Sequence, residues 1–212
     1  MRYKVEYQLR WLLIIGLIGI LYLSNLIYIK LPFIAFHFLK KDIDHGLLNF
    51  LLSFFPEIHI EFYTYNIQTL LVWCYGILVG SKAALVTVSF YILLGLLGLP
   101  LFSSGGGIDY YKEPTFGYLI SFPLLAYSSG YLYKRNKKFL GIFLPIFLTH
   151  LFGILYLFFF KQNSLYISWY LSFSMISYDL IFALLLRPAL PIISFFINEI
   201  FIQEVPVRIR QE

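Results

Sequence analysis

Long apolar stretches without a charged residue, separated by short charged segments, constrain the fold of this chain more than any other feature. One such stretch runs from Trp11 to Ile29, and another from Phe139 to Phe160. A helix needs roughly 20 mostly apolar residues to cross a bilayer. Lipid offers no hydrogen-bonding partner to the backbone, so these stretches are expected to be helical. The pattern therefore predicts an all-α integral membrane protein with a bundle of six transmembrane helices.

The six predicted spans lie in a single membrane domain that covers residues 1–212. Their approximate ranges are 11–29, 64–80, 83–102, 115–133, 139–160 and 166–186. The first is longer than the apolar part of a signal peptide and precedes no small-x-small cleavage pattern, so we expect an uncleaved helix. Residues 30–61 mix apolar and charged residues, which predicts an outer loop or an interfacial segment. Residues 187–212 are predicted to form a cytoplasmic tail.

The distribution of lysine and arginine predicts the orientation of these spans. With the N-terminus inside, eleven of these residues fall on the cytoplasmic side and five on the outer side. Cytoplasmic loops carry an excess of Lys and Arg. We therefore predict a multi-pass protein of the plasma (inner) membrane, embedded in the lipid bilayer with both termini in the cytoplasm.

Composition excludes several functional classes. Charged residues make up 13% of the chain, whereas a soluble domain carries about 25%. This low fraction excludes a soluble enzyme. The net charge of +5 is explained by the basic loops, and no separate basic domain indicates nucleic-acid binding. Cys74 is the single cysteine, which excludes an intrachain disulfide and a multi-cysteine metal site. The sequence predicts neither a metal nor a cofactor.

Two near-motifs for enzymatic chemistry are incomplete. The segment from Gly76 to Lys82 is similar to a phosphate-binding loop, but three residues separate its glycines and Ser81 interrupts the Gly-Lys step. We therefore expect no ATP binding. Ser129 and His150 lie in neighbouring spans, as in an intramembrane serine protease, but without supporting oxyanion donors. The chain is predicted not to be an enzyme, with such a protease as the enzymatic alternative.

The segment 99–115 has the composition of a ligand-binding loop that caps a cavity. Its three consecutive glycines allow backbone N–H groups to approach a ligand closely. Asp109, Lys112 and Glu113 stand beside two tyrosines, and Pro100 and Pro114 restrict the segment. A flexible turn with solvated charges is the alternative interpretation.

Polar residues inside the predicted spans are further candidates for ligand binding. Asp179 lies in the sixth span, where an acidic group is costly and often functional. His150 lies in the fifth span, and Gln68 at the outer start of the second. Each has a structural alternative: Asp179 and His150 could hydrogen-bond to neighbouring helices, and Gln68 could cap its own helix.

Residues 68–119 contain glycines and apolar runs in a characteristic order. It comprises Gln68-Thr69-Leu70, Gly76, Gly80, the run LGLLGLPLF at 94–102, the glycines 105–107, and the run PTFGYL at 114–119. This order resembles the BioY family of biotin-specific membrane subunits. The segment from His150 to Tyr156 is similar to the family's fifth helix.

The resemblance implies six helices, cytoplasmic termini and a biotin cavity beneath the outer loops. It also implies that the chain is the substrate-binding S component of an energy-coupling-factor (ECF) transporter for biotin uptake. The implied partners are biotin, a transmembrane coupling subunit and two ATPase subunits. An S component for another vitamin, or a structural subunit without a ligand, are the non-enzymatic alternatives.

The expected biotin site needs polar groups for the ureido ring, apolar walls, and donors or a cation for the carboxylate. Gln68, His150 and Asp179 are assigned to the ureido end. The walls are assigned to aromatic residues, and the carboxylate to loop amides and a lysine. The full candidate set is Gln68, Phe102, Gly105, Gly106, Asp109, Tyr110, Lys112, Thr115, Tyr118, His150 and Asp179.

Two positions depart from the family pattern. Many members carry a lysine three residues after the aspartate of the last helix, where this chain has Phe182 after Asp179. The ligand carboxylate then needs another cation, and Lys112 is the nearest candidate in the outer loop. In the first helix, Gly16 and Gly19 are the small residues expected to pack against the coupling subunit, although they stand three rather than four residues apart.

Overall fold

A computed structural model describes residues 16, 18–22, 24, 28–37, 57–160 and 165–201 of the chain. The chain divides into two units, residues 28–66 and the remainder. The smaller unit is a β-ribbon and the larger one is helical. Predictions for residues 38–56 and for the end of the tail, 202–212, fall outside the described residues.

The smaller unit consists of two antiparallel strands, β1 (Tyr28–His37) and β2 (Glu57–Asn66). Tyr28 pairs with Asn66 and His37 with Glu57, so the register is continuous along both strands. β2 alternates polar and apolar residues and is rich in aromatic and β-branched ones, a pattern typical of strands. Both strands are edges of the ribbon, and an edge strand tolerates a proline such as Pro32.

This ribbon corrects three predictions. The chain is mostly helical rather than all-α. The described parts of segment 30–61 are strands, not a loop or an interfacial helix. The predicted spans 11–29 and 64–80 each overlap a strand, because β1 begins at Tyr28 and β2 ends at Asn66. The physical reason is the twofold alternation, which segments defined by charge alone do not reveal.

The larger unit contains helical backbone at residues 16, 18–22 and 24, followed by longer helices. These are α1 (Gln68–Val79), α2 (Ser81–Leu96), α3 (Phe116–Lys134), α4 (Leu140–Phe160), α5 (Leu165–Leu186) and α6 (Leu190–Phe201). Short 3₁₀ turns lie at Ile108–Lys112 and Arg187–Ala189. Within the described residues, Leu140–Phe160 and Ser172–Phe196 are long and apolar enough to cross a membrane, and α1 and α2 are shorter apolar helices. The predicted tail therefore begins with a helix.

Helix α3 is the central element of the helical unit, because α1, α2 and α4 all pack against it. Its crossing with α1 is close, because a Cβ on Gly76 would overlap the carbonyl of Ala126 and a Cβ on Gly130 would overlap that of Gly76. Small residues permit this approach of membrane helices. Trp73 of α1 also donates its indole N–H to the carbonyl of Gly141, at 2.8 Å, which ties α1 to the start of α4.

Candidate ligand-binding site

Helices α4 and α5 are joined by a buried hydrogen bond between His150 and Asp179. Nε2 of His150 lies 2.9 Å from Oδ2 of Asp179, and the two side chains are 4% and 2% exposed. In the tautomer whose Nε2 donates to the carboxylate oxygen, Nδ1 carries the lone pair of the ring and is an acceptor. Nδ1 is buried and makes no hydrogen bond within the described part of the chain. A buried acceptor without a donor is costly, so the geometry favours a ligand that donates to Nδ1.

Tyr118 of α3 extends this polar layer across a third helix. Its hydroxyl shares a hydrogen bond with Ser172 of α5. Its ring meets the His150 ring edge-on, with centroids 5.6 Å apart. Gly153 of α4 makes room for the ring, since a Cβ there would overlap Tyr118. Three helices thus meet at four polar side chains.

A second polar arrangement fixes the start of the 99–115 loop. Gln68, at the start of α1, donates from Nε2 to the hydroxyl of Tyr91 at 3.0 Å. That hydroxyl in turn donates to the carbonyl of Leu101 at 2.9 Å. A single buried tyrosine on α2 therefore connects α1 to the loop. This contact gives Gln68 a defined partner rather than the helix-capping role considered for it.

Aromatic residues form the interior of the same loop. The Phe102 ring lies 4.5 Å from the Tyr110 ring, and it meets Tyr91 edge-on at 5.7 Å. The Tyr110 hydroxyl lies 3.1 Å from both the Ser103 and the Thr115 hydroxyls. Phe102 and Tyr110 are both buried, so the interior of the loop is a packed aromatic cluster.

The glycines of the loop make a tight turn that is closed on itself. Phe102 and Gly105 exchange backbone hydrogen bonds of 2.9 and 3.0 Å, and Gly107 donates to the carbonyl of Gly95 at 2.7 Å. Gly105 and Gly107 both have φ of 107°, a conformation that favours glycine. The amides of Gly105 and Gly107 are thus used within the protein, whereas that of Gly106 donates no hydrogen bond within the described residues.

Two charged residues of the loop, Asp109 and Lys112, form an exposed ion pair. Nζ of Lys112 is 2.6 Å from Oδ1 of Asp109, with side chains 61% and 78% exposed. The hydrogen bond to Asp109, and then its negative charge, raise the pKa of the Lys112 ammonium. Lys112 remains the predicted cation for a ligand carboxylate, but it already has an anionic partner.

The predicted site residues therefore form distinct groups. Tyr118, His150 and Asp179 belong to the helical layer, while Gln68, Phe102, Tyr110 and Thr115 belong to the loop and its anchor. Sequence reasoning missed three hydroxyl residues that complete these groups: Tyr91, Ser103 and Ser172. Isolated serines and tyrosines are common in membrane helices, so no sequence signal separated these from the rest. Gly16 and Gly19 are exposed, with open space around the position of a Cβ.

The structure offers little support for chemistry by Ser129. Its hydroxyl lies 3.2 Å from the carbonyl of Trp73 and 3.1 Å from that of Ala126 and donates to them. Neither nitrogen of His150 bonds to it, because Nε2 pairs with Asp179 and Nδ1 has no hydrogen-bonding partner among the described residues. Among those residues, no group of three or more His, Cys, Asp and Glu side chains could hold a metal ion.

The fold defines a class of protein, a mostly helical one in which two described helices are long and apolar enough to cross a membrane. The fold is similar to that of a solved S-component for biotin from an ECF-type ABC transporter, with a TM-score of 0.59. The likeness covers 96% of this chain and 93% of that chain at 18% sequence identity, which shows the fold alone.

The sequence places the chain within a particular family of this class. The model of the BioY family matches residues 46–194, well over half of the chain. The chain therefore belongs to the BioY family.

Curated relatives match shorter segments. A probable biotin transporter BioY of Lysinibacillus sphaericus is 39% identical over 84 residues, which are 40% of this chain and 43% of that protein. The biotin transporter BioY of Thermotoga maritima is 34% identical over 76 residues, 35% of this chain and 45% of that protein. The chain thus spans less than half the length of these two relatives in the matched regions.

Proposed function

We propose that this chain is the substrate-binding S component of an ECF-type biotin transporter, and that it binds biotin without transforming it. The observation that carries the proposal is the buried His150–Asp179 pair with its unpartnered Nδ1. An ionisable pair inside a membrane helix bundle is costly, and such residues commonly serve a ligand or transport pathway. Membership of the BioY family indicates which ligand to test first.

The chemistry of the pair suits the ureido ring of biotin. A ureido group carries two N–H donors and one carbonyl acceptor. One N–H can donate to Nδ1 of His150, because an imidazole that donates from Nε2 to Asp179 has its lone pair on Nδ1. The Tyr118 ring, edge-on to His150, supplies an adjacent apolar surface. We assign His150, Asp179 and Tyr118 to the ureido end of the site, with Gln68 as an additional polar contact.

The loop is assigned to the remainder of the ligand. The Phe102–Tyr110 cluster is the proposed apolar wall, with Thr115 positioning the Tyr110 hydroxyl. The Gly106 amide and Lys112, with the loop turn at Gly105 and Asp109 around them, are the proposed partners of the carboxylate. Phe182 stands where many family members have a lysine, so a cation for the carboxylate has to come from another position. The Phe182 ring stacks with the Tyr178 ring, with centroids 6.2 Å apart.

The test is binding of labelled biotin to the protein purified in detergent, with thiamin and riboflavin as competitors. Saturable binding that only unlabelled biotin displaces is expected. Displacement by another vitamin instead would keep the class of protein and refute biotin as the ligand. Absence of binding by all three would refute the proposed S-component function.

We further propose six membrane spans with both termini in the cytoplasm of the plasma membrane, as the lysine and arginine distribution favours. The test uses a Cys74→Ala background with a single new cysteine, either Ser104→Cys in the glycine-rich loop or Lys137→Cys between α3 and α4. Both positions are exposed. A membrane-impermeant maleimide should label the first in intact cells and the second only after permeabilisation. The reverse pattern would refute the orientation.

The proposed partners are a transmembrane coupling subunit and two ATPase subunits. Exposed Gly16 and Gly19 are the proposed contact with the coupling subunit, because small residues let membrane helices approach closely. Gly16→Leu with Gly19→Leu should leave biotin binding intact and reduce co-purification of the coupling subunit. Unchanged co-purification would place the interface elsewhere.

A further inference from the structure

One end of the helical unit is strongly basic. The last residue of α3 and the turn to α4 supply four cationic residues, and a fifth follows the end of α5; they are Lys134, Arg135, Lys137, Lys138 and Arg187. Asp179 is the single acidic residue between positions 114 and 198, and it is buried against His150. The local sequence therefore offers this basic end little internal charge compensation.

Two adjoining cavities open at this basic end. The first has a volume of about 370 Å³ and is mostly apolar, lined by Ile77, Tyr133, Leu190, Pro191, Ser194 and Phe195. The second has a volume of about 300 Å³ and includes two cations; its lining is Tyr133, Lys138, Leu184, Arg187, Pro188 and Pro191. Because Tyr133 and Pro191 line both, the two cavities adjoin, and we refer to them together as the groove. Its cationic half is the second cavity, and its apolar half is the first, whose lining contains no charged residue.

The chain geometry explains why the groove lies here. Regular helix is interrupted by the 3₁₀ turn Arg187–Ala189 between α5 and α6, and Pro188 and Pro191 each remove a backbone donor. The guanidinium of Arg187 lies 4.7 Å from the centre of the Phe139 ring, which holds it near the α3–α4 turn. Neither Lys138 nor Arg187 forms an ion pair within the described residues.

A groove of this kind in a membrane protein matches an amphipathic anion. Basic pockets between membrane helices bind anionic lipid headgroups, and anionic lipids are enriched in the cytoplasmic leaflet. We propose that the groove binds an anionic phospholipid, with its phosphate at Lys138 and Arg187. An acyl chain then lies along the apolar half, beside Ile77, Leu190 and Phe195. This inference rests on the proposed orientation, which places the groove on the cytoplasmic side, but it is independent of biotin binding, since the groove shares no residue with the proposed biotin site.

The test compares retention of two lipids by the protein purified in detergent, measured by native mass spectrometry. Phosphatidylglycerol is the anionic probe and phosphatidylcholine, with the same acyl chains, the zwitterionic one. The variant Lys138→Gln with Arg187→Gln is paired with a control of equal charge change, Lys134→Gln with Lys137→Gln. We expect phosphatidylglycerol to be retained preferentially, with roughly five- to thirtyfold weaker binding in the groove variant and less than a threefold change in the control.

Further comparisons test whether the lipid binds in the groove or is held by general surface charge. Equal losses in both variants would overturn the proposal, as would equal retention of the two lipids by the wild-type protein. Displacement of the lipid by inorganic phosphate alone would show an anion site without a lipid preference and would also overturn it. The single variant Lys138→Gln, at an exposed residue, gives a second reading that does not depend on the Arg187–Phe139 contact. Biotin binding measured on every variant verifies that the rest of the protein is intact.

Discussion

Among the described residues, two pairs of a carboxylate and a basic side chain have similar lengths but opposite surroundings. His150 and Asp179 lie 2.9 Å apart and are almost completely buried. Lys112 and Asp109 lie 2.6 Å apart and are largely exposed. Distance alone would rank the loop pair as the stronger. Water screens exposed pairs, whereas removing one partner from a buried pair leaves a polar group that no solvent satisfies.

The comparison shows that the helices bury their polar side chains, whereas the loop exposes its ion pair. In the helical layer, His150 and Asp179 are buried and hydrogen-bonded to each other, while Nδ1 of His150 has no hydrogen-bonding partner among the described residues. The loop uses the amides of Gly105 and Gly107 within the protein, and its Asp109–Lys112 pair is exposed to solvent. We therefore infer that the helical layer determines which ligand binds, and that the loop contributes mainly its buried aromatic cluster.

We expect the largest effect when the basic side chain is removed from the buried pair. His150→Leu deprives buried Asp179 of its histidine donor, and hydrogen bonds to charged groups contribute about 1.5–3 kcal/mol. We expect a loss of that size in the free energy of unfolding in detergent, followed by tryptophan fluorescence. Lys112→Leu is the matched control and should unfold like the wild type. Similar losses in both variants would erase the distinction between the two pairs.

A smaller effect is expected where the loop joins the helices. Tyr91→Phe removes a hydroxyl that connects Gln68 to the carbonyl of Leu101. Each such hydrogen bond contributes about 0.5–1.5 kcal/mol, so a loss of about 1–3 kcal/mol follows. Proteolysis within the 99–115 loop should also become faster, which can be followed by mass spectrometry. Unchanged stability and cleavage would show that this hydroxyl does not anchor the loop.

A single hydrogen bond is lost in Tyr118→Phe, which leaves Ser172 without its tyrosine partner. We expect a loss of about 1 kcal/mol in unfolding free energy and a roughly fivefold weaker affinity for biotin. Tyr127→Phe is the control, because the Tyr127 ring stacks on Tyr131 and the substitution keeps that ring. If Tyr127→Phe weakened binding as much as Tyr118→Phe, the helical layer would have no special role.

The smallest effect concerns pH and the loop pair. The pKa of Lys112 is raised by Asp109, so the pair's stabilisation is present below the ordinary lysine pKa of about 10.4 and disappears as pH rises through the raised value. Since both groups are exposed, Lys112→Met and the wild type should show superimposable thermal unfolding from neutral to mildly alkaline pH. A clear stability deficit of Lys112→Met at neutral pH, absent in strong alkali, would show that the exposed pair matters after all.

Helix bounds were predictable where charges delimit an apolar run. Lys138 and Lys161 predict α4 at 139–160, and it occupies Leu140–Phe160. The β-ribbon was not predicted, because its alternating residues include charges and were interpreted as a loop. A search for twofold alternation over 57–66 would have detected β2.

The candidate site was predictable in its residue types but not in its pairings. An aspartate and a histidine inside apolar spans stand out in the sequence. Their contact joins residues that are 29 positions apart on different helices, and no spacing rule gives that distance. The bridging role of Tyr91 was hidden for the same reason, since it depends on the loop folding back over α2.

The most direct test of the central claim compares one substitution at both pairs, Asp179→Asn and Asp109→Asn, by the dissociation constant for biotin in detergent. Each replaces a carboxylate by an amide of nearly equal size. Asp179→Asn should weaken biotin binding by roughly ten- to a hundredfold, and Asp109→Asn should leave it within about twofold of the wild type. Unchanged affinity in Asp179→Asn, or a larger loss in Asp109→Asn, would contradict the conclusion that the buried helical layer is the binding site.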